Sequence, residues 1–473
     1  MIVVPFSIHD LCYGEERFLS PHFVRERIEH FKCLFRECLG EVIALHMQRS
    51  SELVCAVAAL VELHTPFTII NSRDGPLLYG AQWLYDEKQL YKISSLENKT
   101  SESDDGRCED LCFTIRTSGT TGEAKLVAVP FSCIEPNVDD FRERFHITSQ
   151  DVILCATSFC FDPSIIELFL PFTTGADLLL VPDHVRSQPH LFSSVLRRYK
   201  PTIVQLTPSV LSLLDENTLA WIFGSSSPIR CLLLGGEKFP SKLVKRFRSP
   251  SNLTKVFNVY GVTEVSCWAS IAEIPHSFNN VTIGSPLKST TFTLTEENEL
   301  LLGGSRRCCV NGMWNVGFTA TGDIVQMVNG GLDIVGRTDE QVKLNGVRCN
   351  LSAISESVQS LSHVTFARAS IYKEKFLVLF VKADVPIEDA LRVLIPAGLF
   401  PSKIVYLDIV PVNRNGKVDC SKLLEILEEQ CSKAMKTSTS LLAFLSKFGI
   451  KVDSDLSNHS FTDYGTLMRC MTS

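Results

Sequence analysis

Residues Thr117–Lys125 read TSGTTGEAK and follow a short apolar stretch, Leu111–Arg116 (LCFTIR), with the composition of a buried strand. Two glycines at 119 and 122, four hydroxyls at Thr117, Ser118, Thr120 and Thr121, and the ammonium of Lys125 fall within this one run. A strand that leads into such a loop can wrap a phosphate. Glycine lets backbone N–H groups approach the oxygens, the hydroxyls add donors, and the lysine adds a charge. The spacing departs from the common nucleotide loop G-x-x-x-x-G-K-[ST]: Gly122 is two residues short of Lys125, and Leu126 stands where a metal-binding hydroxyl would be. Read alone, the run also suits a flexible polar connector.

The flanks read as alternating strands and helices. Upstream, Leu39–Met47 is expected as a buried strand, Ser51–Leu63 as a serine-capped helix and Thr65–Ile70 as the next strand, which is a βαβ pattern. Downstream, Asp151–Cys155, Ala176–Val181, Thr202–Gln205 and Ile229–Leu234 are short apolar strands, separated by helical segments such as Ser164–Leu170 and Leu191–Tyr199. This alternation predicts an α/β fold with mainly parallel sheets covered by helices. From Thr282 the pattern shifts to short strands and turns, up to the charged cluster GRTDEQVK at 336–343. A smaller α/β unit follows, with strands expected at Ala367–Ile371, Phe376–Val381 and Lys403–Leu407 and a solvated helix over Leu423–Lys436. A last apolar helix, Leu441–Phe448, precedes a polar tail. The expected division is a large domain over 1–338, a small mobile domain over 339–428, and a linker with a further remnant over 429–473.

At 473 residues the chain is too long for one ordinary core. Hydrophobic content of 45% with 21% charged residues excludes wholesale disorder, and a net charge of −7 gives no electrostatic footprint for nucleic acid. No apolar run approaches the ~20 residues of a membrane span, and the N-terminus lacks the pattern of a signal peptide. The 17 cysteines are scattered, without C-x-x-C pairs or zinc-finger spacing. Reduced core thiols, a cytoplasmic setting and no cysteine metal cage are therefore expected.

Taken in order, TSGTTG, VPFSCIEPNVDDFRERFHITSQDVIL, FDPSIIELFL, GADLLLVP, LGGEKFPS and KVFNVYGVTEVSCWA resemble the adenylate-forming superfamily. That superfamily comprises acyl-CoA synthetases, luciferases and the adenylation domains of nonribosomal peptide synthetases. The likeness runs over residues 39–428 and is strongest to its β-alanine-activating branch. It implies an AMP-binding fold with a large and a small domain, and a reaction of a carboxylate with ATP to give an acyl-adenylate and pyrophosphate. A thioester to a phosphopantetheine thiol would follow.

On that resemblance, the loop residues Thr117, Ser118, Gly119, Thr120, Thr121, Gly122 and Lys125 hold the β- and γ-phosphates. Gly235, Gly236 and Glu237 flank the adenine, and Asn258, Tyr260 and Gly261 continue that wall with Tyr260 as a stacking face. Thr263 donates to the α-phosphate and Glu264 supplies the carboxylate for Mg²⁺, which typically takes one or two protein carboxylates plus phosphate oxygens. Asp323 matches the aspartate that grips the ribose hydroxyls, and Arg337 the arginine beside it. Asp339 falls at the hinge, Lys343, Gly346 and Arg348 at the pantetheine approach, and Lys417 at the catalytic lysine that bridges carboxylate and α-phosphate. Taken singly, Y-G-x-T-E and T-G-D also read as turns, and Asn415–Gly416 as a hairpin with a solvated lysine.

Phe161–Ser164 (FDPS) matches the amino-acid-activating members, in which the aspartate pairs with the substrate ammonium. An N-cap on the following helix is the competing reading of Asp162. The expected function is thus activation of an amino acid, with β-alanine implied by the resemblance. A non-amino acyl-CoA synthetase and a nucleotide-binding pseudoenzyme are the alternatives. Leu441–Gly465 resembles the opening of an acyl-carrier domain, but TLMRCMTS follows where the family has G-D-S-L. The acceptor thiol is therefore expected from CoA or from a carrier protein in trans.

Overall fold

The computed structural model describes residues 3–431, apart from 13–15, 71–79, 94–109, 118–124, 338–340, 345–346, 396–398 and 412–421 and the single positions 187, 238, 315, 374 and 409. The chain divides into two compact units, Met1–Arg348 and Cys349–Ser473.

The first unit is built on three sheets. In a nine-stranded sheet, Lys255–Tyr260, Cys231–Gly235, Ile203–Leu206, Val152–Cys155, Asp177–Leu180 and Ile8–Asp10 lie side by side and pair in parallel. These are the runs that read as near-continuous apolar segments, as expected for strands covered on both faces. Ser270–Ile274 with Ser285–Pro286 at one edge, and Arg17–Leu19 at the other, add antiparallel strands. An eight-stranded sheet carries the parallel strands Ile43–Leu45, Phe67–Ile69 and Leu111–Thr117, and there the order turns antiparallel with Lys125–Pro130. The third, antiparallel sheet comprises Thr290–Leu294, Glu299–Gly304, Thr319–Val328 and Gly331–Arg337.

Helices Ser51–Glu62 and Pro163–Thr174 share one core with strands of both large sheets, which explains why they are apolar nearly all round. The first is capped by Ser50, one residue before the expected position, whose hydroxyl accepts from the Leu53 N–H at 3.3 Å. The second stops at Gly175, whose φ of +73° closes the helix in the left-handed region. Helix Phe131–Arg144 joins this core through Ile134, Val138 and Phe141, which recur at helical spacing despite Pro136.

The second unit has a three-stranded sheet of Val364–Tyr372, Phe376–Ala383 and Lys403–Tyr406, with helices Leu351–Gln359 and Glu388–Leu394 and a further helix over 422–431. Val378, Phe380, Val405, Leu423 and Leu427 form its core. The expected hinge residue Asp339, Lys417 and the segment 441–473 lie outside the described residues. Among the described residues, no helix is long and apolar enough to cross a membrane.

Candidate functional site

The carboxyl ends of the adjacent parallel strands Cys231–Gly235 and Lys255–Tyr260 bring two motifs side by side, with Gly235 opposite Val259 in register. Open parallel sheets place ligands at such ends. One strand leads into Gly235–Glu237, where Gly236 takes a φ of +84° that favours glycine. The other leads through Tyr260 and Gly261 into a short helical turn, Thr263–Val265.

Two consecutive residues of that turn reach in different directions. Glu264 Oε1 lies 3.2 Å from Lys125 Nζ, an ion pair between positions 139 residues apart in sequence. Lys125 opens a strand antiparallel to Leu111–Thr117, with Thr117 directly opposite, so the two residues that bound the expected phosphate loop are paired. Ser118, Gly119, Thr120, Thr121 and Gly122 themselves lie outside the described residues. Thr263 donates its hydroxyl to Asp162 Oδ1 at 3.2 Å. Lys125 and Thr117 at the paired strand ends, the expected metal carboxylate, the expected α-phosphate hydroxyl and the expected ammonium partner therefore form one constellation.

Asp162 is buried, at 6% exposure, immediately before the helix Pro163–Thr174. Its backbone is helical (φ −56°, ψ −27°) and its side chain makes no cap hydrogen bond. Instead, the Ser164 hydroxyl donates back to the Phe161 carbonyl at 2.7 Å. The capping explanation of this aspartate thus does not hold, because an N-cap needs extended backbone to aim its oxygen at the first turn.

On the other side of the turn, the Tyr260 hydroxyl donates to Asp323 Oδ2 at 2.6 Å. Asp323 is buried on the strand Thr319–Val328, opposite Arg337 of the strand Gly331–Arg337, and its N–H donates to the Thr321 hydroxyl at 3.1 Å. The Tyr260 ring is itself buried, packed with Val262, Ile283, Leu300 and Val325, so only a small part of it faces outward. Asn258 turns its amide onto the Thr282 carbonyl at 2.9 Å and in this way ties the site strand to the start of the third sheet. Lys343 and Arg348 lie on the strands Gln341–Leu344 and Val347–Asn350, while Gly346, between those strands, is outside the described residues.

Several residues behind the site carried no signal in the sequence reading. Glu167 is fully buried, and burial holds its carboxyl above the ordinary range against the opposing hydrogen bonds of Thr157 and Gln205 and the charge of Arg49. It accepts from the N–H groups of Ala156 and Thr157, both at 3.0 Å, and from Gln205 Nε2 at 2.8 Å. Gln205 in turn accepts from the Trp268 indole at 2.8 Å. A satisfied polar chain thus runs from the helix after Asp162 to the segment after Glu264.

A protein-family model for AMP-binding enzymes matches residues 69–303, which span the hairpin, Asp162 and the Tyr260–Glu264 turn. The chain carries an AMP-binding enzyme domain. Over 400 residues it is 34% identical to the human (Homo sapiens) β-alanine-activating enzyme, an alignment that takes in 78% of this chain and 36% of that protein. The chain spans about a third of the length of the β-alanine-activating enzymes it matches in human, mouse and zebrafish. Among solved structures, the AMP-binding chain superposes on the Vibrio cholerae adenylation domain AlmE, crystallised with glycyl-adenosine-5'-phosphate, with a TM-score of 0.71 and 16% identity over 89% of this chain and 95% of that one. A nonribosomal peptide synthetase protein containing adenylation and PCP domains gives a TM-score of 0.70 at 17% identity, over 89% and 81% of the two chains. The α/β fold is that of an adenylation domain.

Proposed function

We propose that this chain activates an amino acid, β-alanine by preference, as its adenylate at the expense of ATP, and passes it to a phosphopantetheine thiol. The observation that carries the proposal is the pair of consecutive residues Thr263 and Glu264, tied respectively to Asp162 and Lys125. A site for this reaction must hold an ammonium at one end and a polyphosphate with its cation at the other, a few ångströms apart. The turn between those two contacts supports that reading.

In the reaction, a substrate carboxylate oxygen attacks the α-phosphorus, a C–O–P linkage forms, and the bond to the β-phosphate oxygen breaks with release of pyrophosphate. Asp162 orients the acid through its ammonium. An anion buried at that place is costly unless a cation meets it, and this favours an amino acid over a fatty or aryl acid. Thr263 offers its hydroxyl to the α-phosphate, and Lys125 its ammonium to the departing phosphates. Glu264, a carboxylate beside Lys125, fits the single protein ligand that Mg²⁺ needs when phosphates supply the rest. Mg²⁺ held by Glu264 would supply charge neutralisation for the leaving pyrophosphate. Asp323 offers a carboxylate to the ribose hydroxyls. Lys417, matched by resemblance, would bridge carboxylate and α-phosphate from the small domain, and Asp339 would be the hinge between domains over 1–338 and 339–428. Lys343, Gly346 and Arg348 would line the thiol's approach, the thiol coming from CoA or from a carrier protein in the same cytoplasmic compartment.

The test is amino-acid-dependent ATP–pyrophosphate exchange on the purified chain with Mg²⁺, across β-alanine, 2-aminoadipate, the protein amino acids and fatty acids. Exchange with β-alanine is the expected result. Exchange with fatty acids alone would make the chain an acyl-CoA synthetase of another kind. Nucleotide binding without exchange on any acid, in folded protein, would make it a nucleotide-binding pseudoenzyme.

A further inference from the structure

Arg306 follows the strand Glu299–Gly304 in the sequence GGSRRCC, which reads as an exposed basic pair. It is instead 2% exposed. Its Nε donates to the Cys133 carbonyl at 2.9 Å, and its Nη1 to the Trp268 carbonyl at 2.7 Å and the Thr290 hydroxyl at 3.1 Å. Its Nη2 donates to the Val265 carbonyl at 3.1 Å and, more closely, to the Ser266 carbonyl. A guanidinium has five N–H donors, and all five are used. None of the acceptors is a carboxylate.

Burying a cation in this way costs several kcal/mol in general, and a fold that only needed filling would use an apolar side chain. Three of the five acceptors are carbonyls of residues 265–268, the irregular segment directly after Thr263 and Glu264. Buried carbonyls outside a ladder need donors, and a planar fork with fixed geometry holds several at once. The fourth carbonyl, that of Cys133, belongs to the helix Phe131–Arg144, which packs in the main core.

We propose that Arg306 is a positioning residue for adenylate formation: its buried guanidinium clamps the carbonyls of residues 265–268 to the core and so fixes where Thr263 and Glu264 stand. The inference rests on the function proposed above. A displacement of about 1 Å at such groups is enough to slow chemistry on the order of a hundredfold. Arg306 touches no reacting atom and acts only through that turn.

The experiment compares Arg306→Lys and Thr290→Val with wild type in thermal melting, in calorimetric ATP binding titrated with Mg²⁺, and in exchange kinetics with the amino acid and ATP varied separately. Lysine keeps the charge but cannot reach five acceptors. Its expected signature is a folded protein whose kcat falls at least about tenfold and whose Mg²⁺ requirement rises, with KM for the amino acid within about twofold. Thr290→Val removes one acceptor and keeps the guanidinium, and should show the same pattern at about threefold. Folded Arg306→Lys with unchanged kcat and Mg²⁺ requirement would overturn the proposal. If that variant does not fold, an unchanged Thr290→Val would overturn it. Wild type that binds MgATP but exchanges with no acid would refute the functional reading instead, and the Mg²⁺ dependence of binding would still decide the role of Arg306.

Discussion

Gly261, in the motif YGVTE, is a position beside the candidate site where a single methyl group should do heavy damage. A Cβ there would lie 2.0 Å from the Cys267 carbonyl oxygen, 1.0 Å inside the 3.0 Å that Cβ contacts essentially never breach, and 2.8 Å from the Trp268 Cα. Both are backbone atoms, so no side chain can rotate away. Overpacking costs about 1–3 kcal/mol where neighbours can adjust, and a rigid backbone puts Gly261→Ala at about 3 kcal/mol or more. With an unfolding entropy of about 2.1 cal/mol/K per residue over the 348-residue unit, that corresponds to a fall in Tm of about 4 °C. The strain is relieved most readily by moving residues 267–268 away from the Tyr260 strand, and the turn bearing Thr263 and Glu264 moves with them. MgATP affinity and exchange should therefore fall on the order of a hundredfold, far more than stability alone explains. Gly40→Ala is the control: its φ is +79° with nothing within 4 Å of the added Cβ, so it should cost about 1 kcal/mol and leave nucleotide binding intact. Differential scanning calorimetry and MgATP titration on both variants decide the matter. Gly261→Ala that melts within a degree of wild type and binds MgATP equally well would refute the reasoning.

Lys125→Met and Glu264→Gln should each shift stability by less than about 1 kcal/mol, because the pair is partly solvated, yet lower exchange on the order of a hundredfold; a loss of stability matching the loss of activity would point to a structural pair. Asp162→Asn keeps the shape and the acceptor for Thr263 but removes the charge, and should raise KM for an amino acid by about 10–100-fold with no loss in Tm from helix capping. Unchanged amino-acid KM would exclude Asp162 from ammonium recognition. Burial raises the Glu167 carboxyl above its ordinary 4.5, so its contribution to stability is full below that value and declines as pH rises through the folded value. The urea midpoint of wild type relative to Glu167→Gln should accordingly drop as pH rises above 4.5, with Arg49 and Cys155 the titratable neighbours acting on it; a relative rise would contradict the sign.

The parallel strands were legible because burial on both faces leaves an apolar run that polar neighbours interrupt, as at Ile229–Leu234, observed as Cys231–Gly235. The candidate-site motifs stand out by residue type, since hydroxyls, glycines and carboxylates sit in short runs. Less local features were hidden. Helix Phe131–Arg144 contains Pro136, which reads as a breaker although the buried positions keep helical spacing. Asp162 before a proline reads as a cap, and only its helical backbone shows otherwise. Arg306 reads as solvated because four of its five partners are carbonyls, one of them 173 positions away, and backbone acceptors leave no trace in side-chain composition.

The contacts that close the site are all distant in sequence: 139 residues for Lys125 with Glu264, 101 for Asp162 with Thr263, and 63 for Tyr260 with Asp323. During synthesis, the ribosome must add about 200 residues after Lys125 before Asp323 exists, a wait of about 10–40 s at about 5–20 residues per second. Over that interval the hairpin strand and the Asp162 helix are already on the nascent chain, while the turn that will tie them has not been made. On the function proposed above, nucleotide finds no complete site on the early half of this protein, and ATP could first stabilise it only when the third sheet has emerged.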